Sequence, residues 1–370
     1  MSATAPGTNR ATPPTHPSAG ADGARSAIAL RSDVEAMPDI NAAIGATPLV
    51  RLSRLFPDSG LEILAKIETL NPGGSTKDRP ARSMVEDALA SGRLRPGGTV
   101  VESSSGNLGV ALARICTLAG VDFVCVVDSR ANPTTLRTIA AYGGRIEQVT
   151  EPDPVTGDLL TARLNRVQHL LEEIPGAVNL HQYGNPANPA AHRDGTMREI
   201  AEATGHDLDV LVAACSTTGT IGGCSAYIRE HGMPTRTVAV DAVGSALFGG
   251  IPGTRRLPGM GAGFATELSG QVEPDQVVRV EELHCVAGAR LLAAREGILA
   301  GASTGGIVHA LGMLAPDLEP GSRVVMIVHD GGAPYLGTVY DDAWVTETLG
   351  AEPEDVTAAI TRLEEGARRA

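Results

Sequence analysis

The stretch Asn71-Pro72-Gly73-Gly74-Ser75-Thr76-Lys77-Asp78-Arg79 constrains this chain more than any other. The apolar run Leu61 to Ile67 before it reads as a strand, and Asn-Pro-Gly-Gly is a turn composition that cannot continue one. Ser75 and Asp78 then have the spacing of a capping box ahead of a helical run, Pro80 to Ala90, which predicts Lys77 in the first helical turn. The positive end of a helix dipole disfavours an ammonium there by about 0.3–1 kcal/mol, which lowers the lysine pKa and exposes a neutral amine. A nucleophile that forms Schiff bases requires such an amine, although a lysine swung into solvent fits the same stretch. A Walker A loop is excluded, because G-x-x-x-x-G-K-[ST] does not match here.

The 370 residues, 42% of them hydrophobic, are enough for two core-bearing lobes. The formal charge of −13 and the lack of a basic stripe argue against nucleic acid. No apolar run reaches the ~20 residues of a membrane span, and the N-terminus lacks the apolar core of a signal peptide, so a cytoplasmic protein is expected. The five cysteines contain no C-x-x-C pair and read as reduced core residues; no metal site is expected. Residues 1–38 are rich in Ala, Thr, Pro, Ser and Gly without periodicity, so a disordered tail is expected there.

From Ala46-Thr47-Pro48-Leu49-Val50-Arg51-Leu52 onward, short apolar runs alternate with helical patterns. Thr99 to Glu102 precedes a helix from Val110 to Ala119, and Phe123 to Val127 precedes one from Pro133 to Tyr142. Leu208 to Ala214, Thr237 to Ala242 and Val324 to Val328 are further buried-strand candidates. The pattern describes an α/β protein with parallel sheets, in which ligands lie at the carboxyl ends of strands.

Four loops qualify on that ground. Glu102-Ser103-Ser104-Ser105-Gly106-Asn107 opens a helix with hydroxyls and N–H groups suited to a carboxylate. Ser216-Thr217-Thr218-Gly219-Thr220 opens another and can surround a phosphate without a lysine. Ser303, in Gly301-Ala302-Ser303-Thr304-Gly305, either faces a ring nitrogen or caps its helix. The glycine-rich segments after Val240-Asp241-Ala242, including Leu257 to Gly263, are either ligand-hugging backbone or permissive surface loops.

Taken in order, these segments resemble the cysteine synthase and cystathionine β-synthase family, the fold type II pyridoxal-phosphate enzymes, from about Ala46 to Trp344. The resemblance implies a two-lobed α/β fold, each lobe a mostly parallel twisted sheet flanked by helices. Residues 39–70 with 186–345 would form the larger lobe, 71–185 the smaller, and 346–370 a helical tail. It implies pyridoxal 5'-phosphate as cofactor and Lys77 as the catalytic Schiff-base lysine. Asn107 would meet the cofactor's phenolic oxygen; Ser216, Thr217, Thr218, Gly219 and Thr220 would hold its phosphate, and Ser303 would face its ring nitrogen. Ser104, Ser105, Gly106 and Asn107, with Gln182, would hold the substrate α-carboxylate. A neutral hydroxyl at the ring nitrogen suits expulsion of a β-leaving group, through an aminoacrylate, better than transamination. A homodimer acting on small amino acids is expected.

Ser104-Ser105-Gly106-Asn107-Leu108 replaces the family's usual Thr-Ser-Gly-Asn-Thr, and Ser-Thr-Thr-Gly-Thr replaces Gly-Thr-Gly-Gly-Thr. With Val-Asp-Ala-Val-Gly-Ser and Leu-Pro-Gly-Met-Gly-Ala, these variants look most like a branch that joins O-phospho-L-serine to the amine of L-glutamate. That branch serves 2,3-diaminopropionate synthesis for siderophores or peptide natural products. The alternative is a cysteine synthase combining O-acetylserine or O-phosphoserine with sulfide. For the carboxylates of an amino-acid nucleophile, Arg193, Arg255 and Arg256 lie in plausible loops, as solvated charges or as ligands. No strand is followed by the dinucleotide-binding fingerprint, and a non-catalytic binding protein would be expected to lose Lys77 or Asn107. The acidic segment from Glu352 onward reads as an amphipathic helix.

Overall fold

A strand that is apolar at nearly every position needs cover on both faces, and this requirement shapes the protein. The computed structural model describes residues 36–368, so nearly all of the expected tail 1–38 lies outside the described residues. The chain runs β1 (Leu49–Arg51), β2 (Glu62–Ile67), α1 (Asp78–Ala90), β3 (Thr99–Ser103), α2 (Asn107–Ala119), β4 (Asp122–Asp128), α3 (Pro133–Ala141), β5 (Arg145–Val149) and α4 (Leu159–Glu173). It continues through α5 (Ala187–Ala191), α6 (Arg198–Thr204), β6 (Val210–Ala214), α7 (Gly219–Glu230), β7 (Arg236–Ala242) and β8 (Gln276–Val280). The last elements are α8 (Glu282–Glu296), α9 (Ala302–Leu314), β9 (Arg323–Val328), α10 (Asp342–Leu349) and α11 (Pro353–Gly366).

Two sheets result. The larger has the order β1-β2-β9-β6-β7-β8 and is parallel except for the β1–β2 pair; the smaller, β3-β4-β5, is wholly parallel. Val210, Val212, Val238, Val240, Val324, Met326 and Val328 put one face of the larger sheet into a core shared with α8, α9 and α11. The other face buries Leu211, Ala213, Ala239, Val325 and Ile327 with Ile221 and Cys224 of α7. The smaller sheet has its own core, where Val100, Cys125 and Val127 meet Leu112, Ile115 and Ile139. All five cysteines are free and buried. The fold is the expected two-sheet α/β architecture.

Three expectations need correction. Helix α2 starts at Asn107, three positions before the expected Val110, because Gly106 in extended conformation is its cap. Helix α1 starts at Asp78, so Lys77 is the capping residue just before the first turn and not within it. Ser75 does not cap: its Oγ accepts the Lys77 N–H at 3.2 Å, and the Asp78 carboxylate turns back to the Gly73 N–H at 2.5 Å and pairs with Arg114 at 3.0 Å. The C-terminal helix α11 buries Val356, Ala359 and Leu363 against the chain's own larger core.

Candidate active site

The cofactor lysine expected from the sequence sits where the two sheets' strand ends face each other. Thr76 N–H donates to the His329 carbonyl at 2.7 Å, Gly331 N–H donates to the Gly74 carbonyl at 3.2 Å, and Ser75 bridges Asp330. The turn after β2 is thereby stitched to the end of β9, and Gly74 makes the bend with φ +79°. Asp78 and Arg79, next in sequence, are buried and paired. Lys77 instead opens onto a cavity of about 910 Å³, which Thr76, His329 and Asp330 also line. Burial pushes its ammonium pKa down, against the pull of Asp330 and Cys215, so the amine tends toward the neutral form that attacks a carbonyl.

Ser104, Ser105, Gly106 and Asn107 line the same cavity, as does Gln182. The hydroxyl of Ser104 accepts the Gly109 N–H at 3.1 Å, so part of its function is local capping. The N-cap Gly106 offers no side chain, so beyond the Gly109 N–H held by Ser104 the N–H groups of Asn107 and Leu108 have no side-chain partner, as an incoming carboxylate needs. Gln182 reaches Ser103 O at 3.4 Å from the chain that leads into α5.

Opposite lies the loop after β6. Ser216, Thr217, Thr218 and Thr220 line the cavity. Thr218 adopts φ +67° and caps α7 without a side-chain bond. The three threonine hydroxyls are engaged with the protein: Thr218 Oγ1 donates to Thr217 O (2.6 Å), Thr217 Oγ1 accepts the Gly219 N–H (3.2 Å), and Thr220 Oγ1 meets His192 Nε2 (3.3 Å). They shape the loop, and its backbone N–H groups at the positive end of α7 are what remains for a phosphate. Gly219 does not line the cavity; it lies over Asn188, into which an added Cβ would collide. These features fit the anionic end of a cofactor. Gly219→Ala is therefore expected to lower cofactor affinity about tenfold or more, through displacement of the loop, with little change in turnover at saturating cofactor. Fluorescence titration of the cofactor-free protein measures it.

Ser303, buried in the first turn of α9, lines the cavity as well. The arginines divide. Arg193 is half-buried, pairs with Asp194 and Glu230 and does not line the cavity, which is the surface-charge alternative of its two readings. Arg255 and Arg256 do line it. Arg255 donates to Met260 O at 3.1 Å and its buried Nε has no partner; burial lowers its pKa, against Asp241, Tyr183 and Glu282.

Several cavity residues escape the sequence reading. Asp330, just past β9, accepts from Asn107 Nδ2 at 2.7 Å; burial pushes its carboxyl up, against the bonds from Tyr335 and Asn107. His329 accepts the Ala214 N–H through Nε2 and is pushed down to about 3 by burial, so it is a neutral structural ring. Glu102 is pushed up to about 7 by burial, although Asn179 and nearby N–H groups hold its carboxylate. Arg163 of α4 and Arg130 share the single carboxylate of Asp128, leaving net positive charge on that wall. The signal for His329 and Asp330 was their place at the end of a buried strand.

The family described as "Pyridoxal-phosphate dependent enzyme" matches residues 40–330. The chain is 45% identical over 318 residues to N-(2-amino-2-carboxyethyl)-L-glutamate synthase of Ralstonia nicotianae, covering 86% of this chain and 94% of that protein. It is 44% identical over 321 residues to the protein of that name from Cupriavidus metallidurans, with 86% and 94% covered. The crystal structure of O-ureido-L-serine synthase superposes with a TM-score of 0.76 at 32% identity, over 88% of this chain and 100% of that one.

Proposed function

The chain belongs to the pyridoxal-phosphate dependent enzyme family, and from that premise we propose that it performs a β-replacement joining O-phospho-L-serine to the amine of L-glutamate. The products are N-(2-amino-2-carboxyethyl)-L-glutamate and phosphate, a step toward 2,3-diaminopropionate. The observation that carries this reading is that one cavity is lined by Lys77, the N-terminal ends of α2 and α7, whose N-cap residues Gly106 and Thr218 make no side-chain capping bond, and the cationic side chains Arg130, Arg163 and Arg255. A sulfide nucleophile has no carboxylates to neutralise, whereas glutamate brings two.

In this reading the N–H groups of Ser216, Thr217, Thr218 and Thr220 would hold the cofactor phosphate, with Gly219 letting the loop close over Asn188, while Asn107 would meet its phenolic oxygen and Ser303 its ring nitrogen. When bound, the cofactor supplies an electron sink for the carbanion at the substrate's Cα. Ser104, Ser105, Gly106 and Asn107, with Gln182, hold the α-carboxylate and so aim the Cα–H at Lys77. Lys77 Nζ takes that proton and later returns it to Cα. Arg163 and Arg255 attract the carboxylates of the second amino acid.

Incubating the purified protein with O-phosphoserine and either L-glutamate or sulfide, and weighing the products, tests the assignment. The glutamate adduct is expected; cysteine as the sole product would overturn it. We also propose lobes at 39–70 with 186–345 and at 71–185, a homodimer, and a cytoplasmic location. Among the described residues no helix is long and apolar enough to cross a membrane.

A further inference from the structure

Asp330 is buried at 4% exposure where several elements meet. Its backbone bridges Ser75 of the lysine loop, and its carbonyl accepts the Gly301 N–H at the head of α9 at 3.1 Å. Its Oδ2 accepts two hydrogen bonds, from Asn107 Nδ2 at 2.7 Å and from Tyr335 OH at 2.6 Å. Its Oδ1 is buried without a partner and fills the space that a Cβ on Gly301 would need.

The double occupancy of Oδ2 determines the orientation of Asn107. Were the amide turned over, its carbonyl oxygen would face an oxygen that already accepts from Tyr335, acceptor against acceptor. A proton on the carboxyl would sit on the unpartnered Oδ1, so Oδ2 presents the same acceptor in either protonation state. One N–H of Asn107 is thus held by Asp330, and the other is left for the cavity.

We propose that Asp330 is a positioning residue that locks the Asn107 amide with an N–H available to the cofactor's phenolic oxygen, and so joins the lysine loop, the carboxylate loop and α9 into one arrangement. This rests on the reading of Asn107 as that oxygen's partner. Asp330 itself touches neither substrate nor cofactor in this scheme; it acts through Asn107.

The test compares holoenzymes of the wild type, Asp330→Ser, Asn107→Ala and the double variant, by the visible absorbance of the lysine-bound cofactor across neutral pH and by cofactor retention on dialysis. Asp330→Ser is expected to shift the absorbance in the direction of Asn107→Ala and to weaken retention about fivefold to tenfold. The double variant is expected to go no further than Asn107→Ala, since the two residues act as one unit. A wild-type spectrum in Asp330→Ser beside an altered Asn107→Ala, or additive losses, would overturn the proposal. An unchanged Asn107→Ala spectrum would instead remove the assignment of Asn107 beneath it. If Asp330→Ser fails to fold, Asp330→Asn, which keeps the acceptor and nearly the same volume, is expected to stay near the wild-type spectrum and retention; an Asp330→Asn spectrum shifted as far as that of Asn107→Ala overturns the proposal too.

Discussion

Lys77→Ala is expected to cut turnover by roughly 10³-fold or more and to abolish the visible band of bound cofactor, while leaving the fold intact. The catalytic loss follows from removing the group that both tethers the cofactor and moves the Cα proton. The intact fold follows from the geometry. The side chain makes no capping bond to α1, and the loop is held by backbone bonds of Thr76 and Gly74 to residues 329 and 331. Deleting an amine whose charged form is disfavoured by burial exposes no unpaired partner carboxylate that the fold depends on, since Asp330 keeps its bonds from Asn107 and Tyr335. Phosphate release from O-phosphoserine, read beside a thermal melt, checks both halves. A variant that kept a tenth of its turnover would remove Lys77 from both roles.

The second large effect concerns stability. Arg79, 5% exposed, donates Nε to Glu68 at 2.7 Å and Nη1 to Glu199 at 2.7 Å, and Lys66 joins Glu199 at 2.6 Å. Removing one partner of such a buried pair strands the others' charges, so Arg79→Ala is expected to cost about 3–5 kcal/mol in denaturant unfolding. Arg79→Lys should recover little, because a point charge cannot reproduce the guanidinium's fork onto two carboxylates.

The same network gives a pH signature. Burial alone would raise Glu199, but Arg79 and Lys66 pull it down to about 2 from the usual 4.5. Its folded pKa is depressed, so the stability it contributes is complete above pH 4.5 and is lost as pH falls from there toward 2. Unfolding free energy measured through that window is expected to fall less steeply in Arg79→Ala than in the wild type.

The buried strands β2, β4, β6, β7 and β9 were legible because sheets covered on both faces demand continuous apolar runs. The edge strands β5 and β8 were not. Arg145-Ile146-Glu147-Gln148-Val149 and Gln276-Val277-Val278-Arg279-Val280 carry charges where one side faces solvent, and such segments look like loops. Among the site loops, those that open long helices with small and hydroxyl residues stood out. Asp330 did not, since its meaning comes from a hydrogen bond to a residue 223 positions away. For Arg193, which the sequence left as a solvated charge or a ligand, the pairs with Asp194 and Glu230 select the surface charge.

The placement of β9 beside β2 has a consequence for synthesis. The lysine loop leaves the ribosome long before its docking strand and the residues that follow it, 329 to 331. No nascent fragment without β9 can complete the vitamin's seat, so capture of the cofactor must await that strand. Chains that stall before β9 should remain colourless, however well their first strands have collapsed.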